Sequence, residues 1–131
     1  MLIYLAGKIS GLTQAEASKW RVKAIFSLLR VGIKAHNPLE GFDINGQYEP
    51  QEIVIRNKYY IDKSDIILAE MDYREPSPGT IGEIVYAAMK GKPVITWGRA
   101  EYNESVWIKA HVTKHFETLE DALDYIVAMY C

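Results

Sequence analysis

Cysteine is almost missing from these 131 residues: Cys131 stands alone, so no disulfide can form within the chain and a hydrophobic core must hold it together. A lone thiol fits a reducing compartment. Excess charge of one sign is also missing. Fifteen basic and 17 acidic residues give a net charge of −2 at pH 7, whereas a dedicated nucleic-acid binder carries a strong basic bias. No nucleic-acid polymer is therefore expected as a partner, although a small phosphorylated ligand needs only a local basic patch. No window approaches the ~18 apolar residues of a membrane span, and "MLIYLAG" lacks the basic flank of a signal peptide. These absences predict a cytoplasmic protein with no membrane partner. Histidine is scarce, and His36, His111 and His115 show no metal-ligand spacing with acidic or cysteine partners, so no metal is expected. Walker A, GxGxxG and GxSxG signatures are absent. Repeats and low-complexity segments are absent too, and the length suits a single domain over residues 1–131.

What is present is an alternation of two patterns. "LIYLA" (2–6), "IKAHNP" (33–38), "DIILAEM" (65–71) and "KPVITWG" (92–98) are short apolar runs of the kind that buried parallel strands show. Between them lie stretches with helical spacing. The first, 13–32, carries Ala17, Trp20, Val22, Ala24, Ile25, Leu28 and Leu29, with Thr13 as N-cap and Gly32 at its end. The second begins near Pro50, with Ile53, Tyr60 and Ile61 as core positions, and the third is "GTIGEIVYAAMKG". The last is "ETLEDALDYIVAMY", capped by Thr118. Residues 39–50 read as a loop, and 99–112 carry no clear pattern. Strands alternating with helices predict an α/β domain: one flavodoxin- or Rossmann-like unit, with a parallel sheet of about five strands flanked by helices.

Such sheets bind ligands beyond the C-terminal ends of their strands. Here "GKISG", "HNPLEGFD" and "DYREPSPGT" follow the first three strands. In the first, Gly7 and Gly11 flank Lys8, Ile9 and Ser10, a turn whose backbone N–H groups could approach an anion. It reads equally as a tight strand-to-helix turn. In "PSPGTIGE", Pro76 and Pro78 stiffen the chain, and Gly79 allows close approach. Thr80 and Glu83 have the T-x-x-E spacing of a capping box. Alternatively, Glu83 turns into the cleft, held ionised by the positive end of its helix. A fixed carboxylate is what covalent attack at an anomeric carbon requires. Asp62, Asp65 and Asp72 are the nearby acids that could assist a leaving group.

"YLAGKISG", "SDIILAEMD", "PSPGTIGEIVYA" and "GKPVITW" together resemble the nucleoside 2-deoxyribosyltransferase family, including its nucleoside 5'-monophosphate N-glycosidase branch, over roughly residues 1–107. The resemblance implies that Glu83 is the nucleophile and that Tyr4 positions it. It implies that Gly7, Lys8, Ile9, Ser10 and Gly11 wrap a 5'-phosphate, with Ser77, Gly79 and Thr80 completing the sugar-phosphate site. Ser77 matches the hydrolase branch; an Asp there would repel a phosphate dianion. Relatives carry an Arg where this chain has Ser10, so Lys8 takes over that charge. The family's leaving-group Asp falls on Asn57, which shifts that task to Asp72, ahead of Asp62, because strand ends face the cleft. A neighbouring subunit would contribute Asn103 or Ser105, making a homodimer or higher homo-oligomer with shared active sites.

The activity so implied is hydrolysis of a (deoxy)nucleoside 5'-monophosphate to free base and sugar phosphate through a glycosyl–Glu83 intermediate, with no metal or organic cofactor. Base exchange by a deoxyribosyltransferase and a non-catalytic nucleotide-binding domain are the alternatives.

Overall fold

The first strand, β1 (Leu2–Ala6), is apolar on both faces because it is covered on both faces. The computed structural model describes residues 1–72, 77–99 and 105–131. Over these, β1 is followed by α1 (Gln14–Leu29), β2 (Lys34–His36), α2 (Pro50–Lys63), β3 (Ile66–Glu70) and α3 (Pro78–Met89). Then come β4 (Val94–Trp97), α4 (Val106–His111), β5 (Lys114–Phe116) and α5 (Leu119–Tyr130). All four strand pairings are parallel, in the order β2-β1-β3-β4-β5. The expected five-stranded α/β architecture is observed. The order reverses between β1 and β3, so the crevice for a ligand opens there.

The period-two geometry of the strands sorts their side chains into two cores. Ile3, Leu5, Ile66, Leu68 and Ile95 pack on one face against Trp20, Ala24 and Leu28 of α1 and Leu119, Ala122, Leu123 and Ile126 of α5. Tyr4, Ala6, Ile67, Ala69 and Val94 pack on the other against Ile61 of α2, Ile84 and Ala87 of α3, and Ile108 of α4. Burying each large aliphatic side chain contributes roughly 1.5–3 kcal/mol, and these two layers are the bulk of the stabilisation. No described helix is long and apolar enough to cross a membrane.

Thr13 caps α1 as expected. Its hydroxyl accepts the Glu16 N–H at 3.1 Å, while Glu16 accepts the Thr13 N–H at 2.9 Å. Thr118 caps α5 through the Asp121 N–H. The capping-box reading of Thr80 and Glu83 is overturned. Helix α3 starts at Pro78 with Ser77 as N-cap, so Thr80 lies inside it, buried, and donates to the Ser77 hydroxyl at 3.0 Å. Of the three core positions expected in α2, Ile61 is buried, whereas Ile53 and Tyr60 are half-buried. The unassigned 99–112 stretch holds α4, and β5 follows it. That edge strand has three residues, two of them exposed, and so carries no apolar pattern to read.

Candidate active site

A cavity of about 770 Å³ lies at the β1/β3 crevice. The loop after β1 forms one wall with Gly7, Lys8, Ile9, Ser10 and Gly11, and the start of α3 forms another with Ser77, Gly79, Thr80 and Glu83. Asn57 of α2 lines it as well. Three distant segments flagged in the sequence therefore meet at one place. They meet because parallel strands deliver their C-terminal ends to the same edge of the sheet.

Tyr4 points from β1 into the layer beneath α3, and its hydroxyl donates to the Glu83 carboxylate. Glu83 is the one carboxylate among the described residues that line the cavity. It stands in the second turn of α3 rather than the first, and burial, not the helix end, dominates its titration. Desolvation raises its pKa to about 7, against the lowering pull of the Tyr4 hydrogen bond and of the Arg21 charge. Glu83 therefore holds its proton more strongly than an ordinary glutamate. The Tyr4 hydroxyl is pushed well above the usual tyrosine range, by burial and then by the Glu83 charge. It stays protonated as a permanent donor.

The acids near this region in sequence are elsewhere. Asp72, expected to assist the leaving group, is exposed, accepts the Arg99 N–H at 3.0 Å and is not among the described cavity-lining residues. Asp62 takes the Tyr86 hydroxyl at 2.8 Å near the far end of α2. Asp65 accepts the Leu2 N–H at the opposite, N-terminal edge of the sheet. Ser105 is the N-cap of α4 and does not line this cavity. Asn103 and Pro76 lie outside the described residues.

Several contributors were not singled out from sequence. His36, at the end of β2, is stacked between Tyr4 (ring centroids 5.6 Å apart) and Tyr60 (3.8 Å). Desolvation, with the Arg56 charge, lowers its pKa to about 4 and keeps it neutral. Arg56 donates to the carbonyls of Pro38 and Glu40 at 3.0 and 3.1 Å, and its guanidinium lies over the Phe42 and Tyr60 rings. Phe42 stacks on Tyr48 at 4.9 Å, and both line the cavity. The loop after β2 is thus bound to α2 by one arginine and presents two aromatic rings. Lys8, Arg56 and Lys58 give the lining its positive charge. "HNPLEGFD" marked the region, but residue type alone did not say which members would turn inward.

The arrangement offers a tunable carboxylate, a glycine-flanked loop and serine beside it, cations, and a flat apolar wall. That combination suits attack on a sugar carbon bearing an aromatic leaving group. Comparison with known proteins points the same way. A family model described as nucleoside 2-deoxyribosyltransferase matches residues 3–121. A Thermofilum pendens protein named as 2'-deoxynucleoside 5'-phosphate N-hydrolase 1 is 32% identical over 107 residues, spanning 81% of this chain and 73% of that one. A solved 2-deoxyribosyltransferase from Bacillus psychrosaccharolyticus matches with a TM-score of 0.76 at 22% identity, covering 98% of this chain and 94% of its own. The CMP N-glycosidase of Clostridium botulinum matches with a TM-score of 0.62 at 19% identity, over 98% and 99%. At those identities the two structures bear on the fold alone.

Proposed function

Because the chain belongs to the nucleoside 2-deoxyribosyltransferase family, we propose that it hydrolyses the N-glycosidic bond of a nucleoside 5'-monophosphate, with Glu83 as nucleophile. The observation that carries this reading is the Tyr4–Glu83 pair, which supplies the one carboxylate among the described residues of a cavity that Ser77 and the 7–11 loop also line. The T. pendens relative's name supports the phosphorylated substrate. So does Ser77, which adds no negative charge next to a phosphate.

In the first step ionised Glu83 attacks C1' and the C1'–N bond breaks as a C1'–O ester forms. The base leaves with the bonding pair and takes a proton from water, since Asn57 can hydrogen-bond the base but has no acidic proton to give. In the second step water attacks C1' and gives its proton to the hydroxide left by the first step, the ester C–O bond breaks, and Glu83 returns as carboxylate. Tyr4 donates to that carboxylate and orients it. Lys8, Ser10, Ser77 and the backbone of the loop hold the phosphate, and Phe42 and Tyr48 offer the base a face to stack on. Ser105 does not line the cavity of its own subunit, which leaves room for the reading in which a neighbouring copy in a homo-oligomer contributes Ser105 or Asn103. The cytoplasm is the setting where free nucleoside monophosphates are available.

Chromatography of purified protein with each ribo- and deoxynucleoside monophosphate, and with the unphosphorylated nucleosides, tests the proposal. Free base from monophosphates alone is expected, and Glu83→Gln should lower that rate by at least ~10³-fold. Exchange of base between unphosphorylated nucleosides would identify a transferase instead. Ligand binding without turnover would leave a non-catalytic binding domain.

A further inference from the structure

Resting on that reading, we propose that Arg21 is a positioning residue: it clamps the start of the phosphate loop, 7–11, to the end of β1, and so fixes the phosphate end of the substrate relative to Tyr4 and Glu83. Arg21 belongs to α1, on the opposite face of the sheet from the layer that holds Tyr4, and is wholly buried. Its guanidinium donates to the Leu5 carbonyl at 3.3 Å, the Gly7 carbonyl at 3.0 Å and the Ala17 carbonyl at 2.6 Å. One planar fork thus joins the end of β1, the first residue of the loop and the body of α1, a geometry that lysine's point charge does not reproduce.

Gly7 makes the clamp tight. A Cβ there would meet Trp20 Cζ2 at 3.0 Å and Arg21 Nη2 at 3.2 Å, so the backbone rests directly on these two side chains. The Arg21 guanidinium also lies over the Trp20 ring at 5.0 Å. Burying a charge is costly unless hydrogen bonds compensate it, and here the compensating acceptors include the backbone that must be positioned. The charge reaches the reacting groups as well. Arg21 favours the ionised forms of Glu83, of Tyr4 and of Glu70, the buried acid ending β3. Among the described residues, the other charged or titratable groups around Glu83 are Tyr4 from β1, Lys8 from the loop after it, Tyr48 from the loop after β2, Arg56 and Lys58 from α2, and Tyr86 from α3.

The test compares Arg21→Lys and Arg21→Gln with the unaltered full-length chain, by amide hydrogen exchange and by steady-state kinetics on a nucleoside monophosphate across pH. Both variants should speed exchange at residues 8–12 selectively, leaving β3 and α5 protected, and raise KM about tenfold or more. Only Arg21→Gln should also move the acid limb of kcat to higher pH, because lysine keeps the charge. Unchanged exchange at 8–12 with unchanged KM would overturn the proposal. A uniform rise in exchange across the chain would do the same, by showing a merely structural role. Should Arg21→Gln not fold, the KM and local exchange of Arg21→Lys decide. An unaltered chain that releases no base, with loop-specific exchange still raised in the variants, would sink the hydrolase reading while keeping the clamp.

Discussion

At the scale of the residue, the proposed chemistry rests on one carboxylate whose proton affinity is set by opposing influences. Burial raises the Glu83 pKa to about 7, and the Tyr4 hydroxyl pulls it down. Activity should therefore climb with pH through about 7 as the nucleophile ionises. Removing the donor in Tyr4→Phe leaves burial less opposed, so the limb must move further up. Hydrogen bonds to charged groups are worth roughly 1.5–3 kcal/mol, which corresponds to about one to two pH units. A pH–kcat profile of that variant checks this, and a limb that stays put or moves down would refute it. Residue types alone left Glu83 between cap and nucleophile, because T-x-x-E fits both. Resemblance to a family favoured the second, and the start of α3 at Pro78, with Ser77 as its N-cap, removes the first. His36 and Arg56 were illegible for a related reason. Both act through rings and carbonyls contributed by other elements, and a spacing rule does not see those contacts.

At the scale of the element, the strands and the capped helices were readable because their signals are local. Thr13 and Glu16 form a reciprocal box at the start of α1. Thr13→Ala should cost ~1 kcal/mol of stability, measurable by urea unfolding, and no loss at all would show that the box is idle. Short β5 and α4 were not readable, since three or six residues hold too little period. The loop after β2 was recognised as a loop but not as a wall. Its shape depends on Gly46, where a Cβ would meet the Tyr48 ring at 2.7 Å and the Asp43 carbonyl at 3.0 Å. Gly46→Ala should push Tyr48 off Phe42 and raise KM for the monophosphate several-fold, with kcat less affected. Equal losses in kcat and kcat/KM would place the effect in the transition state instead.

At the scale of the whole molecule, burying acids at one end of the sheet sets how stability varies with pH. Glu70 is only 7% exposed, and desolvation raises its pKa to about 7. A carboxyl with a raised folded pKa favours the fold fully below its unfolded value near 4.5 and loses that advantage as pH rises through about 7. Glu83 acts in the same direction and His36, held neutral, in the opposite one below its ordinary value of 6.5. Between about pH 4.5 and 7 the thermal midpoint of Glu70→Gln should fall less with rising pH than that of the unaltered chain, the two curves running parallel below and above that window. Curves parallel within it too would remove Glu70 from the account.

The reversal of strand order between β1 and β3 has a further consequence. Tyr4 and Glu83, 79 residues apart, meet only when both ends of that chain segment are in place, and the cavity is lined from Gly7 to Tyr86. A half-folded chain therefore has no such cavity. The proposed nucleotide would act as a reversible staple between the two halves, adding about 2.7 kcal/mol at a hundredfold excess over its Kd. The substrate itself becomes a reporter of how many molecules in a sample are fully folded.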